Sequence, residues 1–93
     1  MSIEHVPGKD AGKITLYALS TCGWCRKTKA LLSSMGVAYD FVDVDLLQGK
    51  ERDDTISIVK KWNPASSFPT LVINESKCIV GFDETSIKKE LKA

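Results

Sequence analysis

A short apolar run that stops at two hydroxyl residues, then gives way to a three- and four-residue periodicity, constrains this chain most. Ile14-Thr15-Leu16-Tyr17-Ala18-Leu19 is largely apolar; a run of that length, bounded by turn-formers, fits a strand covered on both faces. Ser20 and Thr21 are good N-cap residues and Gly36 is a natural C′ residue, so a helix is predicted from Cys22 to Met35. Within it Cys25, Thr28, Leu32 and Met35 fall along one stripe.

The same two periods recur downstream. Tyr39 to Asp45 alternates as a second strand, with Val42 and Val44 on one face and Asp43 and Asp45 on the other. Residues 50–62 predict a helix that buries Ile56, Val59 and Trp62, stopped by Asn63-Pro64 because proline disfavours helical geometry in the residue before it. Residues 69–73 and 77–80 are two short strands joined by a hairpin loop, Asn74-Glu75-Ser76. A last helix begins at Asp83, with acids in its first turn and Lys88, Lys89 and Lys92 near its end, both complementing the helix dipole. The order β-α-β-α-β-β-α gives two parallel strands joined by a helical crossover, then an antiparallel hairpin. It predicts an α/β fold with a four-stranded mixed sheet and helices on both faces. Residues 1–12 carry Pro and Gly without periodicity and read as a flexible lead-in, leaving residues 13–93 as one domain.

Thirteen basic against twelve acidic side chains leave a formal charge of +1, which gives no electrostatic reason to invoke nucleic acid or an anionic membrane surface. No apolar run approaches the roughly 20 residues that span a bilayer, and the first twelve residues contain no hydrophobic stretch of the secretory kind. A cytoplasmic monomer is expected. In a reducing compartment a lasting structural disulfide is improbable. Three cysteines, two of them spaced C-x-x-C, then point to redox chemistry or metal binding before they point to a staple.

Cys22-Gly23-Trp24-Cys25 sits where the first strand meets its helix. A cysteine there lies beside unpaired backbone N–H groups and the positive end of the dipole, which favour thiolate over thiol. Arg26, Lys27 and Lys29 add positive charge; thiols in such settings have pKa values of roughly 3.5–7.5 instead of about 8.5. Cys25 lies one helical turn on and faces inward, placed to attack a mixed disulfide held on Cys22. The expected roles are therefore Cys22 as attacking thiolate and Cys25 as resolving thiol, with no bound cofactor or metal. Two other readings stand beside this one. The pair is half of a zinc site in a non-catalytic binding module, with Cys78 and His5 as the remaining candidate ligands, or both cysteines are inert core residues.

Other positions carry less. Pro69 is either a strand-entry proline or a cis proline that folds the chain back towards the cysteines. Gly81 is a turn glycine or a binding position. Asp83 and Glu84 read first as helix caps. Cys78 reads as a small buried residue, Trp62 as helix-end packing, and Trp24 as a partly exposed aromatic that shields the cysteines and offers a partner a flat apolar contact. His5 has no nameable partner.

Three motifs in order resemble the glutaredoxin family, within the thioredoxin fold, over roughly residues 13–92. They are Tyr17-Ala18-Leu19-Ser20-Thr21-Cys22-Gly23-Trp24-Cys25, Ser67-Phe68-Pro69-Thr70 and Gly81-Phe82-Asp83-Glu84. The resemblance implies a cis peptide at Pro69, pairing of the Phe68 backbone with bound peptide or glutathione, and approach of Asp83 or Glu84 to the glutathione amine. It implies disulfide-containing or glutathionylated proteins as substrates, and either glutathione or a thioredoxin-reductase-type protein as electron donor. Departures are equally specific. Leu19 stands where the family often has a glutathione-contacting lysine, Gly23-Trp24 replaces Pro-Tyr, and Gly81-Phe82 replaces Gly-Gly. The last resembles the glutaredoxin-like reductases that serve ribonucleotide reductase. Losing a charged contact of this kind costs about 1.5–3 kcal/mol of glutathione affinity.

Overall fold

The computed structural model describes residues 3–91, so the expectation for Lys92 lies outside the described residues. In chain order the elements are β1 (Glu4–Val6), β2 (Ile14–Ala18), α1 (Gly23–Ser34), β3 (Tyr39–Asp43), a 3-10 turn (Val44–Leu46), α2 (Gly49–Trp62), β4 (Thr70–Ile73), β5 (Lys77–Val80) and α3 (Glu84–Leu91). The fold is thioredoxin-like. Its core is the parallel β2–β3 pair, in which Thr15 lies opposite Asp40 and Ala18 opposite Asp43. Antiparallel β4 pairs with the other side of β2, and β5 with β4.

The sheet has five strands, in the order β1-β3-β2-β4-β5, not the four expected. The extra strand comes from the supposed lead-in. Glu4, His5 and Val6 pair antiparallel with Phe41, Asp40 and Tyr39, and His5 Nδ1 meets the Asp40 carboxylate at 2.7 Å. Three residues are too few to show a period of two, so composition gave no sign of this strand. The following segment is also held. The Lys9 N–H donates to the Gly36 carbonyl at 2.7 Å and the Ala38 N–H to the Lys9 carbonyl at 2.8 Å. Gly8 is needed here because a Cβ would fall 2.7 Å from the backbone of Gly36 and Val37.

Helices cover both sheet faces. On one, Ile14, Leu16 and Ala18 of β2 pack with Leu32 of α1 and with Ile87 and Leu91 of α3. On the other, Val42, Val44 and Leu47 form a smaller cluster with Tyr17 and with Ile56 of α2. Strand β2 is therefore buried in alternation, with Thr15 and Tyr17 only half-buried on the side of the smaller cluster. Of the expected α2 stripe only Val59 is fully buried. Cys25, Thr28 and Leu32 are the buried stripe of α1. Gly36 follows this helix at φ 71°, the left-handed C′ geometry that glycine tolerates best.

Burial separates two leucines cleanly. Leu16 is fully buried and Leu46 is 65% exposed. Leu16→Ala is expected to cost about 2–5 kcal/mol, while Leu46→Ala stays within about 0.5 kcal/mol, both read from urea unfolding curves.

Candidate active site

Strand β2 ends at Ala18, and four residues later Cys22 caps α1. Ser20 and Thr21, the expected caps, lie just outside. Cys22 has extended backbone geometry, φ −86° and ψ 118°, and its own sulfur serves as the cap acceptor. The Cys25 N–H donates to Cys22 Sγ at 3.2 Å, and the Arg26 N–H to the Cys22 carbonyl at 3.1 Å. The sulfur thus takes the place of a serine oxygen, against an amide that would otherwise lack a partner.

The two cysteines differ in surroundings. Cys22 is half-buried and Cys25 is completely buried. Burial first, then the hydrogen bond with Cys22, pushes the Cys25 thiol up to about 12. The Leu19 backbone N–H and the Lys29 charge act in the opposite direction. Among the described residues no three His, Cys, Asp or Glu side chains cluster closely enough to share a metal ion. Cys78 sits on β5 opposite Val72. It is half-buried rather than sealed in the core, and desolvation raises its thiol pKa.

A cleft of about 220 Å³ is lined by Trp24, Phe68, Pro69, Gly81 and Phe82. All three motifs of the chain therefore meet at one place. Trp24 is 57% exposed. Its ring stacks on Phe82 with centroids 5.9 Å apart, and Lys27 Nζ lies 4.5 Å above it. The Phe68–Pro69 peptide is cis. The Gly81 N–H donates to the Pro69 carbonyl at 2.8 Å; at φ 79° this residue occupies backbone space that favours glycine.

The two acids beside the cleft are engaged with their own helix. Asp83 accepts from the Ser86 N–H at 3.1 Å and from the Ser86 hydroxyl at 2.8 Å. Those bonds hold its carboxyl below the usual range. Glu84 pairs with Lys88 at 2.6 Å. Both are exposed, and their caps and pairs follow the reading of these acids as helix-start residues.

Two anchors escaped the sequence reading. Asn63, taken only as a helix stop, is buried, and its Nδ2 donates to the Ser67 carbonyl, the Ser67 hydroxyl and Thr70 Oγ1 at 3.0–3.2 Å. It ties down both flanks of the cis peptide. The available signal was a run of uncharged polar residues around Pro64 and Pro69. The second anchor is Asp45, which accepts from the Ser20 N–H at 2.8 Å and the Ser20 hydroxyl at 2.6 Å, fixing the turn that delivers Cys22. These partners stand 25 residues apart in sequence, so no local pattern links them.

A mixed sheet with a C-x-x-C pair at the start of its first helix, and a cis proline lining a cleft with the residue between the cysteines, defines a dithiol protein of thioredoxin-like fold. More narrowly, the chain belongs to the glutaredoxin family, whose profile, described as glutaredoxin, matches residues 14–78. It is similar to an uncharacterised glutaredoxin-like 8.6 kDa protein of the rubredoxin operon of Clostridium pasteurianum, with 39% identity over 82% of this chain and 93% of that protein. Among solved structures it resembles the glutaredoxin from Methanosarcina mazei Go1, with TM-score 0.92 and 48% identity over 100% of this chain and 90% of that one. It also resembles methanoredoxin from Methanosarcina acetivorans, with TM-score 0.89 and 49% identity over 92% and 90% of the two chains.

The Asp45 anchor gives a pH signature. Its bonds from the Ser20 side chain and backbone lower its pKa below the ordinary aspartate value. A depressed carboxyl stabilises the fold above the unfolded-state value of about 3.9, and that contribution is lost as pH falls through the folded-state value. NMR titration of the Asp45 carboxyl is expected to show an acid-shifted midpoint that Ser20→Ala moves back towards normal. An unmoved midpoint would contradict the anchor.

Proposed function

We propose that this protein is a thiol–disulfide oxidoreductase that reduces protein disulfides, or glutathionylated proteins, by a dithiol cycle through Cys22 and Cys25. The observation that carries this reading is the 3.2 Å cap bond from the Cys25 amide to Cys22 Sγ, with the second thiol fully buried beneath it. The cap bond sets Cys22 Sγ at the helix start, where a substrate can reach it, and burial keeps the second sulfur protonated until it is needed.

The cycle balances in two steps. Cys22 thiolate attacks a substrate disulfide R–S–S–R′, forming Cys22–S–S–R and releasing R′S⁻, which takes a proton from water. Cys25 then gives up its proton and attacks Cys22 Sγ; the Cys22–Cys25 disulfide forms and RS⁻ leaves. Two electrons pass from the cysteine pair to the substrate. An external donor restores the dithiol, either glutathione or a reductase of the thioredoxin-reductase type.

The cleft lined by Trp24, Phe68 and Phe82 offers mostly carbon. Leu19 supplies no charge, while Asp83 and Glu84 already have partners in α3. These features favour protein disulfides over free glutathione as the preferred reactant. In this reading the protein works as a monomer in the cytoplasm, and no helix among the described residues is long and apolar enough to cross a membrane.

Single-turnover stopped flow with a glutathionylated peptide and an intrachain peptide disulfide tests the proposal. The pre-reduced protein is expected to consume the intrachain disulfide faster. Cys25→Ser should stall there as a mixed disulfide, and Cys22→Ser should fall to the uncatalysed rate. Equal activity in Cys22→Ser would refute the assignment. A faster reaction with the glutathionylated peptide, retained by Cys25→Ser, would show a glutathione-coupled monothiol route instead.

A further inference from the structure

Helix α2 packs against β4 and the 3-10 turn and leaves part of its sheet face open. Two cavities of about 430 and 400 Å³ lie there and share Ile3, Tyr17 and Ile58. Together they make one groove along the helix, with Val42 and Leu47 at one end and Thr15 and Val72 at the other. None of its residues lines the cysteine cleft. Ile3 is 46% exposed and Ile58 40%, so two large apolar side chains of this groove stand in water. Apolar surface gathered in this way marks a place where something docks.

The charge along α2 says what fits. Glu51, Asp54, Ile58 and Lys61 all line the groove, and their spacings of three, four and three residues put them on one helix face. The stripe is acidic near the helix start, apolar in the middle and basic near the helix end. Lys50 also lines the first end, but two acids outweigh it there. At the second end Lys13 pairs with Glu75 at 2.9 Å and Asp40 meets His5 at 2.7 Å. Asp54 and Lys61 have no ion pair among the described residues. A foreign partner would have to present the same charges in reverse order. A second copy does so by symmetry, because a two-fold axis turns the stripe end for end. Asp54 and Lys61 are about two helical turns apart. An axis beside Ile58 therefore brings Asp54 of each copy to Lys61 of the other and sets the two Ile58 side chains together.

We propose that this groove is the interface of a reversible two-fold homodimer, in which the α2 helices lie antiparallel and Asp54 of each copy pairs with Lys61 of the other. The apolar middle of each stripe, with Ile3 beside it, is then covered by its mate. The groove shares no residue with the cysteine cleft, so the dithiol reaction still runs on one chain and association is a separate equilibrium.

Sedimentation velocity of the full chain tests this in excess reductant, where no disulfide joins the copies. A range of about 10 μM to 1 mM catches weak association. The parent is expected to pass from the mass of one chain to that of two as concentration rises. Asp54→Lys and Lys61→Asp should each move that transition at least about tenfold higher, because like charges then meet twice across the axis. An equimolar mixture of the two variants should dimerise as the parent does. Every such contact in the mixed dimer joins a lysine of one copy to an aspartate of the other, and a folding defect cannot produce that recovery. A parent that stays monomeric throughout overturns the proposal and leaves the groove to a different partner. Parent-like dimerisation of either single variant, or no recovery on mixing, overturns it as well. If a charge variant does not fold, folded Ile58→Ser decides: loss of the dimer supports the proposal, and an unchanged dimer rejects it.

Discussion

A sulfur atom serving as helix cap is the contact on which the rest of the site depends. Helix α1 must begin immediately after the turn that follows β2, because only then does its free amide reach Cys22 Sγ. The sheet fixes where that turn ends. Parallel pairing of β2 with β3 brings the end of β3 beside Ala18, and Asp45 in the next turn grips Ser20 by backbone and side chain. The crossover helix then has little freedom in where it starts. One helical turn later the same geometry turns Cys25 into the core. A single helix start thus provides an accessible sulfur with a donor and an inaccessible sulfur without solvent.

The opposing wall is set independently. Asn63 holds Ser67 and Thr70 on either side of the cis Phe68–Pro69 peptide, and Pro69 in turn accepts from Gly81. That chain of bonds carries α2, β4 and the turn before α3 to one edge of the cleft. Trp24 and Phe82 close the other side by stacking. An exposed indole such as that of Trp24 is costly to leave in water unless a partner covers it. The carbon-lined cleft that results is the surface on which the proposed preference for protein disulfides rests.

What the sequence made legible followed local rules. The strand-to-helix switch at Ser20 and Thr21, the Gly36 stop and the C-x-x-C spacing each depend on neighbours within a turn or two, so β2, α1, β3, α2, the hairpin and α3 could be read in order. Cys22 as cap was displaced from the expected hydroxyl residues by two positions or fewer, since sulfur is rarely credited as a cap acceptor. Longer-range matters were not legible. Strand β1 is recruited by the exposed edge of β3, and its three residues have no pattern of their own. His5 found Asp40 across 35 residues and Ser20 found Asp45 across 25; pairs at such distances are created by the sheet register. Asn63 looked like punctuation because its hydrogen bonds exist only once the cis turn has formed. The cis peptide itself was implied by family resemblance, not by Pro69 alone.

The account depends on a division of labour between one accessible sulfur and one sealed sulfur. Peptide-mapping mass spectrometry of the reduced native protein, after brief treatment with less than one equivalent of iodoacetamide, tests it most directly. The account predicts that the label lies on Cys22 ahead of the half-buried Cys78, with Cys25 reached only after unfolding. Labelling of Cys25 or Cys78 ahead of Cys22 would contradict it.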